Sequence, residues 1–391
     1  MIKAVLLDLD DTLLFNDDQV FVPAYLQAVE RYFQATFNYS GMSKHIRTSL
    51  KAMMAPKSYA ASNMQAAIDS IAAESAFPNE TLSQGFAQFY AEAFPPLHSL
   101  TRPNPVAQPL VVWLQAQGIA VTIATNPVYP TQAIQQRLVW AGLSGNLSDY
   151  AFVTTGEAMH FAKPDPRYYI ETIARLGVEP DETLMVGNSL ENDISPARAV
   201  GIQTYHILKE GEPASQNSGT LNDLFHQFQQ GWLETLEPIP VSPSMVLHEL
   251  EGNLGALFGI LAEVKPYQWM QHPDRREWSI LQIVRHLAER EASVQRAELE
   301  TILYQDNPFL MPSPLPPDPE ESGDVWATAE AFVQAREVTL ALLRPLPPEI
   351  WARPANHSTF GKTTLLEMAH FTAQHDRLHI TQICQTLGKC D

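Results

Sequence analysis

Cysteine is nearly absent from this chain: two in 391 residues, Cys384 and Cys390, both close to the C-terminus. A disulfide framework is excluded, and a reducing, cytoplasmic setting fits. Cys384 reads as a packed helix residue and Cys390 as a thiol on a frayed tail. Long apolar runs are missing too. No stretch approaches the roughly 18 residues of a membrane span. The opening MIKAV leads straight into a core strand, so no signal peptide is expected. Positive charge is scarce, with 25 Lys+Arg against 44 Asp+Glu, a net charge of −19. Such a surface is repelled by phosphate-rich partners, which argues against non-specific nucleic acid or anionic membrane as a ligand. An anionic small molecule would need positive charge supplied locally. No internal repeat is present. A length of 391 residues points to two or three domains.

What is present begins in the first twelve residues, MIKAVLLDLDDT. The apolar run Ala4 to Leu7 stops at Asp8, Asp10 and Asp11, followed by Thr12. It reads as a buried strand of a parallel sheet. Ligands of open α/β sheets bind beyond the carboxyl ends of the strands. Two carboxylates there, Asp8 and Asp10, suggest metal-assisted chemistry, although an acidic strand-to-loop turn has the same composition. A second apolar run, IAVTIATN, ends at Thr125 and Asn126. Lys-Pro-Asp-Pro starts at Lys163. The run TLMVGNSLENDI breaks at Gly187 into a polar loop holding Asp193.

Between these pieces the patterns alternate. Helical spacing over WLQAQG and PRYYIETIARLG precedes the strands ending at Asn126 and Gly187, and QTYHIL reads as the last strand. Alternation of this kind predicts a doubly wound parallel sheet. Residues 16–97 interrupt it with about four amphipathic helices, one of them capped by Asn79. On one helix Lys44, Arg47 and Lys51 share a spacing that makes them either a solvated basic face or a surface for an anionic substrate.

These four pieces, in this order, resemble the haloacid dehalogenase (HAD) superfamily of phosphatases and related phosphoryl-transfer enzymes, over residues 1–235. The resemblance implies a core at residues 1–15 and 98–236, with a mobile cap at 16–97. It implies Asp8 as the nucleophile and Asp10 as the acid and base. Thr125 and Asn126 would hold phosphoryl oxygens, and Lys163 would neutralise charge. Mg²⁺ would be held by Asp8, Asp10 and the Asn188 to Asp193 loop. One position departs from the family pattern. An acid usually follows the glycine of the fourth piece, whereas this chain has Asn188, leaving Asp193 as the remaining carboxylate.

After a Pro/Ser linker at 237–244, residues 245–391 read as helical throughout: four long amphipathic segments, expected as a four-helix bundle. Six prolines from Pro308 to Pro319 mark a long crossing connection. His375 and His379 lie at i and i+4, on one helix face, and His286 lies on the apolar-flanked side of an earlier helix. Three neutral imidazoles suit a first-row metal with an open fourth position. His248, His357 and His370 read as ordinary hydrogen-bonders, and Asp376 as either a ligand-orienting or a solvated acid. The segments WSILQIVRHL, HSTFGKTTLLEMAHF and HDRLHITQI resemble the DinB/YfiT-like superfamily over 243–388. That resemblance implies a divalent metal, Zn²⁺ or Ni²⁺, and in some members thiol-transfer or hydrolase chemistry.

The expectation is an α/β phosphatase of a small phosphorylated metabolite, joined to an all-α, metal-binding bundle. Two alternatives stay open: the bundle carries the main chemistry, by thiol transfer or metal-dependent hydrolysis, or it is a docking module through which a homodimer forms.

Overall fold

The computed structural model describes residues 1–55, 58–209, 211–274, 276–311 and 319–390. Most of the proline-rich connection between Pro308 and Pro319 lies outside the described residues, as does the Cys390 side chain. The chain divides into two compact units: Met1–Ile173 with Val178–Ile239, and Ala174–Gly177 with Pro240–Asp391.

In the first unit, β1 (Ala4–Leu7) is followed by a short strand β2 (Leu14–Asn16). Four helices come next: α1 (Asp18–Phe37), α2 (Met42–Met54), α3 (Asn63–Ser75) and α4 (Asn79–Glu92). The chain returns through β3 (Thr101–Pro103), which pairs antiparallel with β2, Leu14 opposite Pro103 and Asn16 opposite Thr101. The four helices are thus an insertion that leaves and re-enters through one two-stranded ribbon. Asn79 does not cap α4. Pro78 stands at the cap position, and the Asn79 amide donates to Asp69 instead, at 2.6 Å.

From there helices and strands alternate. They are α5 (Ala107–Ala116), β4 (Ala120–Ile123), α6 (Thr131–Trp140), β5 (Phe152–Val153) and α7 (Pro166–Leu176), then β6 (Thr183–Gly187), α8 (Ser195–Ala199), β7 (Gln203–Ile207), β8 (Ser218–Gly219) and α9 (Leu221–Gln229). The sheet runs β5-β4-β1-β6-β7-β8, all parallel. Counted along the chain, this is the 3-2-1-4-5-6 order of doubly wound folds. β1 is central and wholly buried, which is why its residues are apolar without alternation. The strand QTYHI is not the last. Two-residue β8 adds one more, too short to carry a period in the sequence.

The second unit is a bundle of α10 (Pro243–Leu261), α11 (Ile280–Arg290) continuing through a π-helical turn Glu291–Gln295 into α12 (Arg296–Tyr304), α13 (Val325–Leu343) and α14 (Leu365–Cys390). Its ends are set by local chemistry. Ser242 caps α10, Ser279 and Gln282 form a capping box on α11, and Asp324 caps α13. The core joins Leu250, Leu340, Leu343, Met368 and Ala369 from three helices with Trp351. The expectation of an all-helical part needs one correction. Short strands β9 (Phe309–Leu310), β10 (Pro354–His357) and β11 (Gly361–Thr364) form a small mixed sheet.

Candidate functional sites

The sheet order reverses at β1, between β4 and β6, and ligands of such sheets bind at that point. Asp8 follows β1 directly, and its backbone N–H still donates to the Val186 carbonyl of β6, at 2.9 Å. Its carboxylate is buried. Oδ1 accepts from the Lys163 ammonium at 2.8 Å and Oδ2 from the Thr12 hydroxyl at 3.3 Å. The same ammonium reaches Asp193 Oδ1 at 2.6 Å. Asp193 is held in turn by the Ser189 N–H, at 2.9 Å. A Cβ at Gly187 would run into the Asp193 carboxyl, so glycine at that strand end is a packing requirement. Thr125 is buried two residues past β4, its carbonyl accepting from the Tyr168 and Thr154 hydroxyls at 2.9 and 2.7 Å. Next to it, the Asn126 side-chain oxygen is buried without a hydrogen-bond partner. Asn188 follows β6, where its carbonyl accepts from His206 at 3.0 Å.

Two carboxylates and one ammonium leave this buried cluster one negative charge in excess. Burial, with Asp193 alongside, pushes the Asp8 carboxyl up to about 7 against the pull of Lys163. Burial pulls Lys163 the other way, but Asp8 and Asp193 outweigh it and hold the ammonium well above the ordinary lysine range. Excess negative charge on an all-oxygen donor set, with an orphaned amide oxygen nearby, suits a hard divalent cation.

The sequence reading missed what positions these groups. Arg137 on α6 is buried, ion-paired to Asp10, with its guanidinium carbon 5.1 Å from the Tyr129 ring centroid and 5.4 Å from that of Phe21. Asn16 also donates to Asp10, at 3.3 Å. A signal existed. Ala133, Ile134 and Leu138 make the buried face of α6, and Arg137 falls on it. Likewise Glu171, wholly buried on α7, accepts from the backbone N–H groups of His160 and Phe161 at 2.9 and 3.0 Å and from His160 Nδ1 at 2.8 Å. On its other side the same loop is held by Asn63 of α3, whose N–H and side-chain amide donate to the carbonyls of Met159 and Phe161 at 2.8 and 3.1 Å. The loop that delivers Lys163 is therefore fixed from two directions.

In the bundle, one ring nitrogen from each of His286, His375 and His379 lies within 4.8 Å of the other two. The Nε2 atoms of His286 and His375 are 3.3 Å apart. Trp278 stacks on His379, and Gln382 holds His379 Nδ1 at 2.8 Å. Burial, reinforced by the neighbouring imidazoles and Arg290, lowers His286 to about 4 and His375 to about 2. Burial lowers His379 as well. The three rings are neutral near pH 7, the protonation state that ligates metal, and their spacing fits a first-row ion.

The other histidines stand apart from this group. His370 pairs with Glu249 at 3.0 Å, and His357 Nδ1 accepts from the Thr359 and Phe360 N–H groups at 3.1 and 3.2 Å. Asp376 is not solvated. It is wholly buried and bonded to Arg336 at 2.7 and 3.1 Å, and Arg336 also binds Glu291 from the π-turn through two bonds of 2.9 Å. A charged residue on an apolar helix face again has a distant partner.

Residues 2–201 match the family model of haloacid dehalogenase-like hydrolases. The chain belongs to this family. Residues 249–383 match the DinB superfamily model, so the helical unit is a DinB-like domain. Among curated relatives of the HAD-like part, glyceraldehyde 3-phosphate phosphatase of Methanocaldococcus jannaschii is 26% identical over 211 residues, covering 54% of this chain and 86% of that protein. Phosphoserine phosphatase of Thermus thermophilus is 29% identical over 127 residues, covering 32% of this chain and 49% of that protein. Solved structures with similarity include a HAD phosphatase from Thermococcus onnurineus, at 23% identity, 59% of this chain, 98% of that one and TM-score 0.37. YfiT from Bacillus subtilis, described as a probable metal-dependent hydrolase with an unusual four-helix bundle topology, matches at 19% identity, 39% of this chain, 91% of that one and TM-score 0.34. Among the described residues, no helix is long and apolar enough to cross a membrane.

Proposed function

We propose that this HAD-like hydrolase is a Mg²⁺-dependent phosphatase of a small phosphorylated metabolite, working in the cytoplasm through an aspartyl-phosphate. The observation that carries the reading is the Lys163 ammonium held between Asp8 and Asp193, at 2.8 and 2.6 Å, at the switch point of the sheet. The names of the phosphatase relatives support it.

In this reading Asp8 attacks phosphorus in line, forming the acyl phosphate as the alcohol departs. Asp10 gives the departing oxygen its proton, then removes one from the water that cleaves the acyl phosphate. Arg137 fixes the Asp10 carboxylate for both steps. Thr125 and the Asn126 amide hold phosphoryl oxygens, and Lys163 offsets the charge gathered around phosphorus. Asp8, the Asp10 carbonyl, and Asn188 or Asp193 would hold Mg²⁺. The ion supplies charge neutralisation on the phosphoryl oxygens when bound. Helices α1–α4 serve as the cap.

Asp8→Asn tests the assignment. Activity toward a panel of phosphomonoesters with Mg²⁺ should fall more than about a thousandfold, since the covalent route is removed. Retention of more than about a tenth of the activity would sink it.

In the bundle, His286, His375 and His379 would hold one divalent ion, Zn²⁺ or Ni²⁺, with a fourth position left for a small ligand. A bound ion supplies Lewis acidity there, suited to thiol transfer or hydrolysis. Metal analysis of the purified chain should give about one transition-metal ion per chain. His375→Ala should lose it without changing Mg²⁺-dependent turnover.

A further inference from the structure

We propose that the substrate's organic part is an apolar alcohol, an alkyl chain or flat ring, seated in a cavity between the four-helix insertion and the core. This rests on the phosphatase reading and names the class of its leaving group.

The cavity holds about 300 Å³, the low end of small-ligand pockets. Its wall is built from Ile46 and Met53 of α2, Met64 and Ile68 of α3, and Phe86 of α4. Core residues close it: Val128, Pro130 and Gln132. Val128 is two residues past Asn126, at most about 7 Å along the chain. The loop that offers Asn126 to the phosphoryl group therefore continues directly into the cavity wall. A second connection runs through the rings. Tyr25 lines the cavity and meets Tyr129 at 5.5 Å between centroids, and Tyr129 lies under Arg137, the partner of Asp10.

The polar groups of the wall are already engaged or uncharged. The Tyr25 and Tyr90 hydroxyls bond one another at 2.8 Å, and burial raises both phenols, so they stay neutral. The Ser49 hydroxyl donates to the Ile46 carbonyl at 2.8 Å. Ser83 and Gln132 carry no charge. Among the described residues the wall has no lysine, arginine or histidine. Lys44, Arg47 and Lys51 lie on the exposed side of α2 and do not line it. Among the described residues, the one charge on the wall is negative. Glu157 accepts from the Thr131 N–H and hydroxyl, both at 2.9 Å. A phosphorylated hydroxy acid or amino acid would bring its carboxylate against this wall with no cation to meet it, and with Glu157 repelling it. An apolar group meets side chains of its own kind.

The test uses the full chain with saturating Mg²⁺ and n-alkyl phosphates from methyl to decyl. kcat/KM should rise roughly twofold to fourfold per methylene until the cavity is full. Ala67→Leu and Ala87→Leu, made separately on α3 and α4, should each cut the octyl-to-methyl ratio of kcat/KM by about tenfold or more, since added bulk displaces chain. A flat series in which methyl phosphate is still hydrolysed overturns the cavity proposal and leaves the phosphatase reading standing. If no phosphate is hydrolysed, the phosphatase reading falls, and calorimetry with octylphosphonate decides the cavity. Binding that Ala67→Leu weakens upholds it as a site for apolar chains, and absence of binding overturns it.

Discussion

At the scale of single residues, the buried Arg137 of α6 holds the Asp10 carboxylate beyond the end of β1. Asp8, Thr125, Lys163 and Asp193 follow apolar runs or carry a distinctive Lys-Pro-Asp-Pro neighbourhood, so they announce themselves locally. Arg137 meets Asp10 across 127 residues of chain, a pairing a single sequence cannot show. What the sequence does hold is an arginine on the buried face of α6, and the same signal marks Arg336 on α13. Of the two readings of Asp376, burial excludes the solvated one, and its partner Arg336 lies 40 residues away on another helix, out of reach of local sequence. Arg137→Met should lower kcat by roughly 10- to 100-fold with KM changed less than about threefold, because Asp10 is still present but no longer aimed. The half-open setting of Asp10 lets water solvate its charge, so the fold should survive. Arg137→Lys should recover part of kcat. An unchanged kcat in Arg137→Met would make the arginine purely structural.

At the scale of elements, long helices and the buried central strand were legible from periodicity and apolar runs. The insertion helices and α13 fall close to where their spacing put them. The strands β8, β9, β10 and β11 were not, since they are as short as two to four residues and carry neither a period nor an unbroken apolar run. In the bundle, α11 and α14 bring together three imidazoles, all lowered by burial. The metal-free bundle should lose stability as pH falls from about 6.5 toward 4. The unfolded chain takes up protons there that folded His286 and His375, lowered to about 4 and 2, refuse. Melting followed by circular dichroism in the presence of a chelator checks this. His375→Phe should flatten the dependence across that window. An equally steep fall in the variant would place the acid sensitivity elsewhere.

At the scale of the whole molecule, the net charge of −19 and the buried cation at Lys163 act over different distances. The first repels an approaching phosphate through solvent and is screened by salt, whereas the second works inside the site and is not. Raising ionic strength from 0.01 to 0.15 M shortens the screening length from about 30 to about 8 Å. With Mg²⁺ kept saturating, kcat/KM should then increase about twofold to fivefold, through KM. A decrease would mean that a local positive field guides the substrate in.

The ribbon of β2 and β3 has a further consequence, in the history such a chain can have. The four inserted helices depart and return on neighbouring strands, spaced about 4.8 Å apart. Recombination that exchanges everything between Asn16 and Thr101 would cut no strand of the main sheet and remove none of Asp8, Asp10, Thr125, Lys163 or Asp193. The incoming segment would have to rebuild the seam with the core, including the bonds of Asn63 to Met159 and Phe161, of Met64 to Gly156 and of Tyr90 to Gln136, and the ring contacts of Phe21, Tyr25 and Phe94. The reactive side chains therefore stay with the core while most of the cavity wall travels with the insertion, and chimaeras joined at those two positions are the natural way to give this hydrolase another organic group to accept.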